Sequence, residues 1–210
     1  MFNFNFDITE ILITAFVFLF ALTIHEYSHG LVSTLQGDDT PQRYGRLTMN
    51  PFAHIDIIGF ICLLVFHFGW AKPVPISSRN YKNPRMGIIL TSLAGPLSNL
   101  LISFISIIVW HAVPESFYVK FSMLDTFLFY MIYVNTMLAI FNLIPVPPLD
   151  GSKIFAELFG GKVAQAIYSI EGKGTLILLL LLWIPKVQDI LSSGIWGVIG
   201  FLEKIVLLFH

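Results

Sequence analysis

The sequence predicts an all-α polytopic membrane protein, and three observations carry that reading. Of its 210 residues 56% are hydrophobic and 12% charged, with a mean hydropathy of +0.78, far more apolar than a soluble domain of this length. The apolar residues gather into runs, several of which approach the 20 or so residues needed to cross roughly 30 Å of hydrocarbon. Between the runs stand short polar stretches rich in Gly, Pro, Asn and Arg, which read as turns and loops. A formal net charge of −1 excludes a nucleic-acid footprint, and the single Cys62 excludes both a disulfide framework and a cysteine zinc site. Any metal must use His, Asp or Glu. No internal repeat or low-complexity linker divides the chain, so residues 1–210 are read as one membrane-embedded domain.

The first run, about Ile8 to Val32, is too long and too poor in N-terminal basic residues for a cleaved signal peptide, and it reads as a retained transmembrane helix. Near its end stands His25-Glu26-Tyr27-Ser28-His29. Residues four apart on a helix share a face, so His25 and His29 can converge on one cation with Glu26 beside them as a base. Ionisable groups at membrane depth mark a functional site by default.

Asp38 to His54 is polar and reads as a loop. Ile57 to Ala71 is a shorter apolar run, followed by Lys72-Pro73-Val74-Pro75-Ile76, whose prolines forbid helix and favour extended backbone. Gly87 to Trp110 is a second full span, carrying Ala94-Gly95-Pro96-Leu97-Ser98-Asn99, where small residues allow close helix contact and Pro96 invites a kink. Thr126 to Ile144 is a third, ending in Asn142-Leu143-Ile144-Pro145-Val146-Pro147-Pro148-Leu149-Asp150-Gly151. A mixed interfacial stretch leads to Gly174. Thr175 to Ile184 and Ser193 to Phe209 then read as a closing helical hairpin, its first arm needing residues from about Ala166 to reach across.

A catalytic zinc site usually has three protein ligands. Asp150 is the candidate third: prolines break the helix before it and a glycine follows, a way to aim one side chain inward from a helix end. An N-cap role for Asp150 is compatible with the same position. Topology offers a separate check, because His25, His29 and Asp150 must meet at one depth. If Ile57 to Ala71 crossed the membrane, Asp150 would end on the face opposite the histidines. If it dips in and returns, all three share a face. Fifteen helical residues reach only about 22 Å, short of the full thickness, which also favours re-entry. In that topology Arg43, Arg46, Lys72, Arg79, Lys82, Arg85, Lys153, Lys162 and Lys173 lie on the histidine side, against Lys120 and Lys186 on the other. The histidine side is then cytoplasmic and the N-terminus outside.

At this point the residues resemble the site-2 protease family of intramembrane zinc metalloproteases, in its compact bacterial branch without PDZ or CBS domains. His25 to Gly30 resembles the family's HExxH, Asn142 to Gly151 its NxxPxPxLDG element, and Gly95-Pro96-Leu97-Ser98-Asn99 its GPxxN pattern. Gly69 to Pro75 is similar to a membrane-associated loop of that branch. The resemblance covers about Ala21 to Gly151 and implies a three-helix catalytic core over about residues 8–151, followed by C-terminal helices over about 152–210.

The resemblance further implies one Zn2+ per chain on His25, His29 and Asp150, Glu26 as general base, and a transmembrane protein as substrate, cleaved in or near its membrane segment. Asn142 is the first candidate to stabilise the oxyanion and Asn99 the second, although either amide could simply bond across helices. Lys72, Pro73, Val74 and Pro75 could hold a substrate strand by edge addition, or form an ordinary surface turn. His54, before Ile55-Asp56, could sit near the site or only cap the next segment. A membrane metal-ion transporter, or a non-catalytic relative that binds membrane proteins, would also place His and Asp at broken helices. Glu26 discriminates, since hydrolysis needs a base and conduction does not. The bacterial cell membrane is the expected location; the sequence selects no substrate and no oligomeric state.

Overall fold

In a computed structural model, which describes residues 8–59 and 69–209, the described residues form helices and connecting loops, with no strand beyond one isolated bridge between Ile55 and Ala71. The helices are α1 (Ile8–Leu35), α2 (Thr40–Arg43), α3 (Pro84–Ala112), α4 (Glu115–Lys120), α5 (Ser122–Asn142), α6 (Asp150–Phe159), α7 (Gly161–Ser169), α8 (Gly174–Leu182) and α9 (Pro185–Leu207). By length and composition, five stretches among the described residues are apolar enough to cross a membrane, beginning at Ile8, Pro84, Ser122, Gly161 and Pro185. The protein is thus a multi-pass membrane protein.

The long helices α1, α3 and α5 pack on one another and form the core. Val17, Phe18 and Ala21 of α1 meet Met131, Val134 and Leu138 of α5 in an apolar cluster. The α3 contact is made instead by small and polar residues. Gly95, Asn99, Ser103 and Ser106 are buried, and Ser103 Oγ stands 2.7 Å from Thr136 Oγ1 on α5. Small side chains let membrane helices approach closely, and hydroxyls then bond across the interface because no water competes. Asn83 caps α3 by accepting from Met86 N at 3.2 Å, with Pro84 in the first turn, so this span begins where its local sequence dictates.

Most of the run expected to dip into the membrane, residues 60–68, lies outside the described residues. Its flanks are described, and they meet: Ile55 bridges to Ala71, and Lys72 N donates to His54 O at 2.8 Å. Two flanks bonded to each other stand on the same face of the bundle. The parity of α1, α3 and α5 therefore puts the end of α1, the start of α3 and the end of α5 on one side, here called the site face.

The C-terminal helical pair is present, but its first arm is interrupted. The polar segment Ser169-Ile170-Glu171-Gly172-Lys173-Gly174 breaks the fourth apolar stretch into α7, a 3-10 turn and α8, whose nine residues extend only about 14 Å. Gly174 packs against the turn that precedes Asp150, since a Cβ there would lie 2.3 Å from Pro147 O. α9 then starts near the site face: Gly194 lies beside Ile140 on the last turns of α5, whereas Glu203 pairs with His111 in the last turn of α3 at 3.1 Å. α9 runs parallel to α3, and Lys186, expected on the far side, belongs to the site face.

Candidate metal centre

α1 has no proline or glycine before Gly30, so His25 and His29 fall one turn apart on the face turned to α3 and α5. Asp150 arrives from the other direction. The turn after α5, which includes a cis Pro147–Pro148 peptide bond, ends at Leu149, the residue in the capping position, and leaves Asp150 as the first residue of α6. Gly151 makes this possible, because a Cβ there would sit 2.2 Å from Leu143 O. The carboxylate does not cap its helix; it faces the histidines.

The three residues converge closely. His25 Nε2 and His29 Nε2 are 3.0 Å apart, and Asp150 Oδ2 lies 3.3 Å from the first and 3.1 Å from the second. All three residues are buried, and among the described residues they form the only group of three or more His, Cys, Asp or Glu placed to hold a metal ion. Tetrahedral zinc with bonds of about 2.0–2.2 Å sets its ligand atoms roughly 3.3–3.6 Å apart, close to this triangle.

The outer nitrogens explain which lone pairs face inward. His29 Nδ1 donates to the Thr91 carbonyl at 2.6 Å, and His25 Nδ1 meets Asn99 Oδ1 at 2.7 Å. Asn99 has its other amide atom 3.1 Å from the Ala21 carbonyl, an acceptor only, so that atom is Nδ2 and the one facing His25 is oxygen. Both imidazoles therefore carry their proton on Nδ1 and point bare Nε2 lone pairs at each other and at a carboxylate oxygen. With both rings neutral, three acceptors face one point, an arrangement that a cation between them would relieve. Room for it is kept by Gly95 of α3, where a Cβ would lie 2.5 Å from His29 Nε2 and 2.6 Å from His25 Nε2. The site thus fits a metal ion by donor type, spacing and space.

Glu26 is half-buried one residue from His25, and its Oε2 accepts from Val74 N at 2.8 Å. That amide belongs to the extended segment 72–76, which lies as a strap along α1 over Glu26 and Gly30, an added Cβ at Gly30 standing 3.4 Å from Val74 Cγ1. The donors of the strap point inward: Lys72 N to His54, Val74 N to Glu26, Ser77 N to Asp38. Pro73 and Pro75 have no N–H, so the outward edge offers carbonyls at those positions and no amide. A full strand ladder on that edge is not available.

The other expected residues separate by their bonds. Asn99 spends both amide hydrogens, on Ala21 O and on Asn135 Oδ1 at 2.9 Å, so it stands as the holder of His25 rather than as an oxyanion donor. Asn142 uses one hydrogen on Leu138 O of its own helix at 3.0 Å. His54 is buried, donates Nε2 to Thr48 O at 2.9 Å and leaves Nδ1 without a partner among the described residues; the capping of the next segment falls to Asp56, which accepts from Gly59 N. Thr91 and Asn135 were not singled out from sequence; Gly95 was read for close helix contact and Gly151 for aiming Asp150, but not for the room they leave beside the two histidines and Leu143 O. The available signal was the row Asn99, Ser103 and Ser106, polar residues at helical spacing inside an apolar span.

Comparison with known proteins agrees with this geometry. A profile described as peptidase family M50 matches residues 113–182. YwhC of Bacillus subtilis, whose name places it among zinc metalloproteases, is 40% identical over 169 residues, covering 79% of this chain and 77% of that protein. MJ0611 of Methanocaldococcus jannaschii, similarly named, is 31% identical over 99 residues, 47% of this chain and 49% of its own. Rip2 of Mycolicibacterium smegmatis is 25% identical over 175 residues, 81% of this chain and 66% of its own. No solved structure matches.

Proposed function

The chain belongs to peptidase family M50, the site-2 protease family of intramembrane zinc metalloproteases, and from that premise we propose that His25, His29 and Asp150 hold its zinc ion and Glu26 is the general base. The observation that carries the assignment is the convergence of two ring nitrogens and a carboxylate oxygen, all buried, at the spacing of zinc ligands. Bound there, zinc supplies a Lewis acid that polarises a carbonyl and lowers the pKa of water toward about 7.

The chain's own residues do the rest. Asn99 and Thr91 fix the two imidazole rings, so no reorientation is needed when substrate arrives. The Val74 amide holds one oxygen of Glu26 and leaves the other to take a proton from the attacking water and hand it to the leaving amine. Asn142, with one amide hydrogen left over at the end of α5, donates to the developing oxyanion. The substrate is a transmembrane segment of a membrane protein, locally unwound. Its amides pair with the outward carbonyls of Pro73 and Pro75, and Lys72 and His54 flank that contact.

Ten of the twelve Lys and Arg residues support a cytoplasmic site face: Arg43, Arg46, Lys72, Arg79, Lys82, Arg85, Lys153, Lys162, Lys173 and Lys186, against Lys120 and Lys204. The N-terminus then lies outside a bacterial cell membrane, with the whole chain acting as one peptidase domain.

The test is Glu26→Gln. The purified variant is expected to keep near one zinc per chain while losing cleavage of a single-span substrate by at least about 100-fold. Undiminished cleavage would remove Glu26 as the base, and unchanged zinc content in a His25→Ala, Asp150→Ala double variant would remove the ligand assignment.

A further inference from the structure

Asp38 is a buried carboxylate that the proposed chemistry does not use. It follows α1, has no exposed surface, and accepts five hydrogen bonds from four residues. Ser33 Oγ donates at 2.9 Å, Thr40 N at 3.1 Å, Thr40 Oγ1 at 2.5 Å, Ser77 N at 2.8 Å and Asn80 Nδ2 at 2.9 Å. Burial alone would raise its pKa, but the bonds from Ser77, Thr40 and Asn80 outweigh burial and hold it down at about 2. So many donors on one carboxylate bind the last turn of α1, the start of α2, and the end of the strap into one unit.

A second chain of bonds ends on the same carboxylate. Tyr81 Oη donates to Ser33 Oγ at 3.0 Å and stands 3.0 Å from Thr91 Oγ1. Ser33 already donates to Asp38 and Tyr81 to Ser33, so Thr91 donates to Tyr81, and all three hydroxyls point toward Asp38. Thr91 is the residue whose carbonyl orients His29.

The strap is therefore pinned at both ends, by His54 O at Lys72 and by Asp38 at Ser77. Between the pins lies one amide that reaches the site, Val74 N on Glu26. Proline at 73 and 75 removes other amides and stiffens the segment, so displacement of the Ser77 end is transmitted to Val74 rather than absorbed.

We propose that Asp38 is a positioning residue of the peptidase: by anchoring Ser77 and Asn80 to the end of α1, it holds the strap where the Val74 amide aims Glu26. The proposal rests on Glu26 acting as the base. Zinc is not expected to leave when the anchor is cut, because Thr91 O and Asn99 are held within the bundle.

The full-length protein in proteoliposomes, with a single-span substrate that the wild type cleaves, gives the test. Asp38→Asn is expected to lower kcat about 10–100-fold, with KM within about threefold and zinc near one per chain, the size of loss expected when a catalytic group is displaced by about 1 Å. Val74→Pro, which deletes the amide that holds Glu26, should match it. The double variant should fall no further than the lower single, since both cut the same connection. A kcat within about twofold of wild type for Asp38→Asn, a loss confined to KM, or multiplying losses in the double variant would each overturn the proposal. If Asp38→Asn does not retain zinc, Asn80→Ala decides, because it removes one donor from an exposed residue: a kcat loss of about 3–10-fold with zinc kept supports the anchor, and an unchanged kcat overturns it. An active Glu26→Gln variant would sink the base assignment itself, an outcome distinct from an inactive Glu26→Gln beside a fully active Asp38→Asn.

Discussion

The two ends of the helical core are built on opposite terms. At the site end, His25, His29, Asn99, Asn135, Ser103 and Thr136 are all buried polar groups, each bonded to another helix or to its own backbone. At the far end, Trp110, Phe129, Tyr133 and Trp196 line a cavity of about 170 Å³, together with the polar pair His111 and Glu203. An unpaired polar group in apolar surroundings costs several kcal/mol, roughly 2–7 by transfer, so a bonded network leaves few alternative arrangements. Aromatic packing is less particular about position. The site end should therefore be intolerant of single-atom changes that the far end absorbs.

Glycines give the sharpest contrast and the largest expected effect. Gly95→Ala would put a methyl 2.5 Å from His29 Nε2 and 2.6 Å from His25 Nε2, on backbone that cannot step aside. Zinc content of the purified variant is expected to fall below about a tenth of wild type and cleavage by more than about 1,000-fold, a loss of at least about 4 kcal/mol. Gly197→Ala and Gly200→Ala on α9 meet nothing within 4 Å and should leave zinc and activity unchanged, with an unchanged or slightly higher melting temperature, since alanine is the better helix former. A zinc-replete Gly95→Ala would break the comparison at its strongest point.

Next in size is the bond that orients a ligand. Asn99→Ala removes the acceptor of His25 Nδ1, strands Asn135 Oδ1 and removes a second donor to Ala21 O. Zinc affinity, measured by competition with a chelator, should weaken about 10–100-fold, the usual effect of losing such a partner. Ser106→Ala, one of the same row but bonded only to Ile102 O of its own helix, should change zinc affinity by less than about twofold.

What sequence made legible follows the same division. His25, His29 and Asp150 were readable because a helix places residues four apart on one face and because parity demands a shared side; the structure brings those three together. The C-terminal helices were read only in outline. Thr175 to Ile184 looked like one arm of a hairpin because apolar length is what composition measures, whereas the polar break at Ser169 to Gly174 decides where the helix stops. The strap was read as extended from its prolines, correctly, but its inward donors depend on Glu26, His54 and Asp38, residues 18 or more positions away from it. Asp38 looked like one more loop acid, since five donors drawn from three separate segments cannot be seen in a linear chain.

The loop clasp supplies an intermediate effect, visible against pH. The folded pKa of Asp38, about 2, lies below its unfolded value of 3.8, so its contribution to stability is complete above the unfolded value and is lost as pH falls through the folded one. The melting temperature of wild type in detergent should exceed that of Asp38→Asn by a constant margin above about pH 5, and the margin should shrink between about pH 4 and pH 2. A margin independent of pH would mean that the ionised form of Asp38 does not hold the clasp.

The smallest effect belongs to the far end. His111 Nε2 and Glu203 Oε1 meet at 3.1 Å, with side chains 27% and 46% exposed, a geometry in which ion pairs contribute roughly 0–1 kcal/mol. His111→Gln and Glu203→Gln should each shift the melting temperature by no more than about 2 °C and leave zinc content and kcat within about twofold. The reasoning is the inverse of that for Asn99. Neither partner is buried, so removing one leaves no stranded charge in hydrocarbon, and the aromatic packing of Trp196 on Tyr133 and Phe129 keeps α9 in place without the pair. A large loss of activity from either variant would show that the far end is coupled to the site through α3, and that the two ends are less independent than their construction implies.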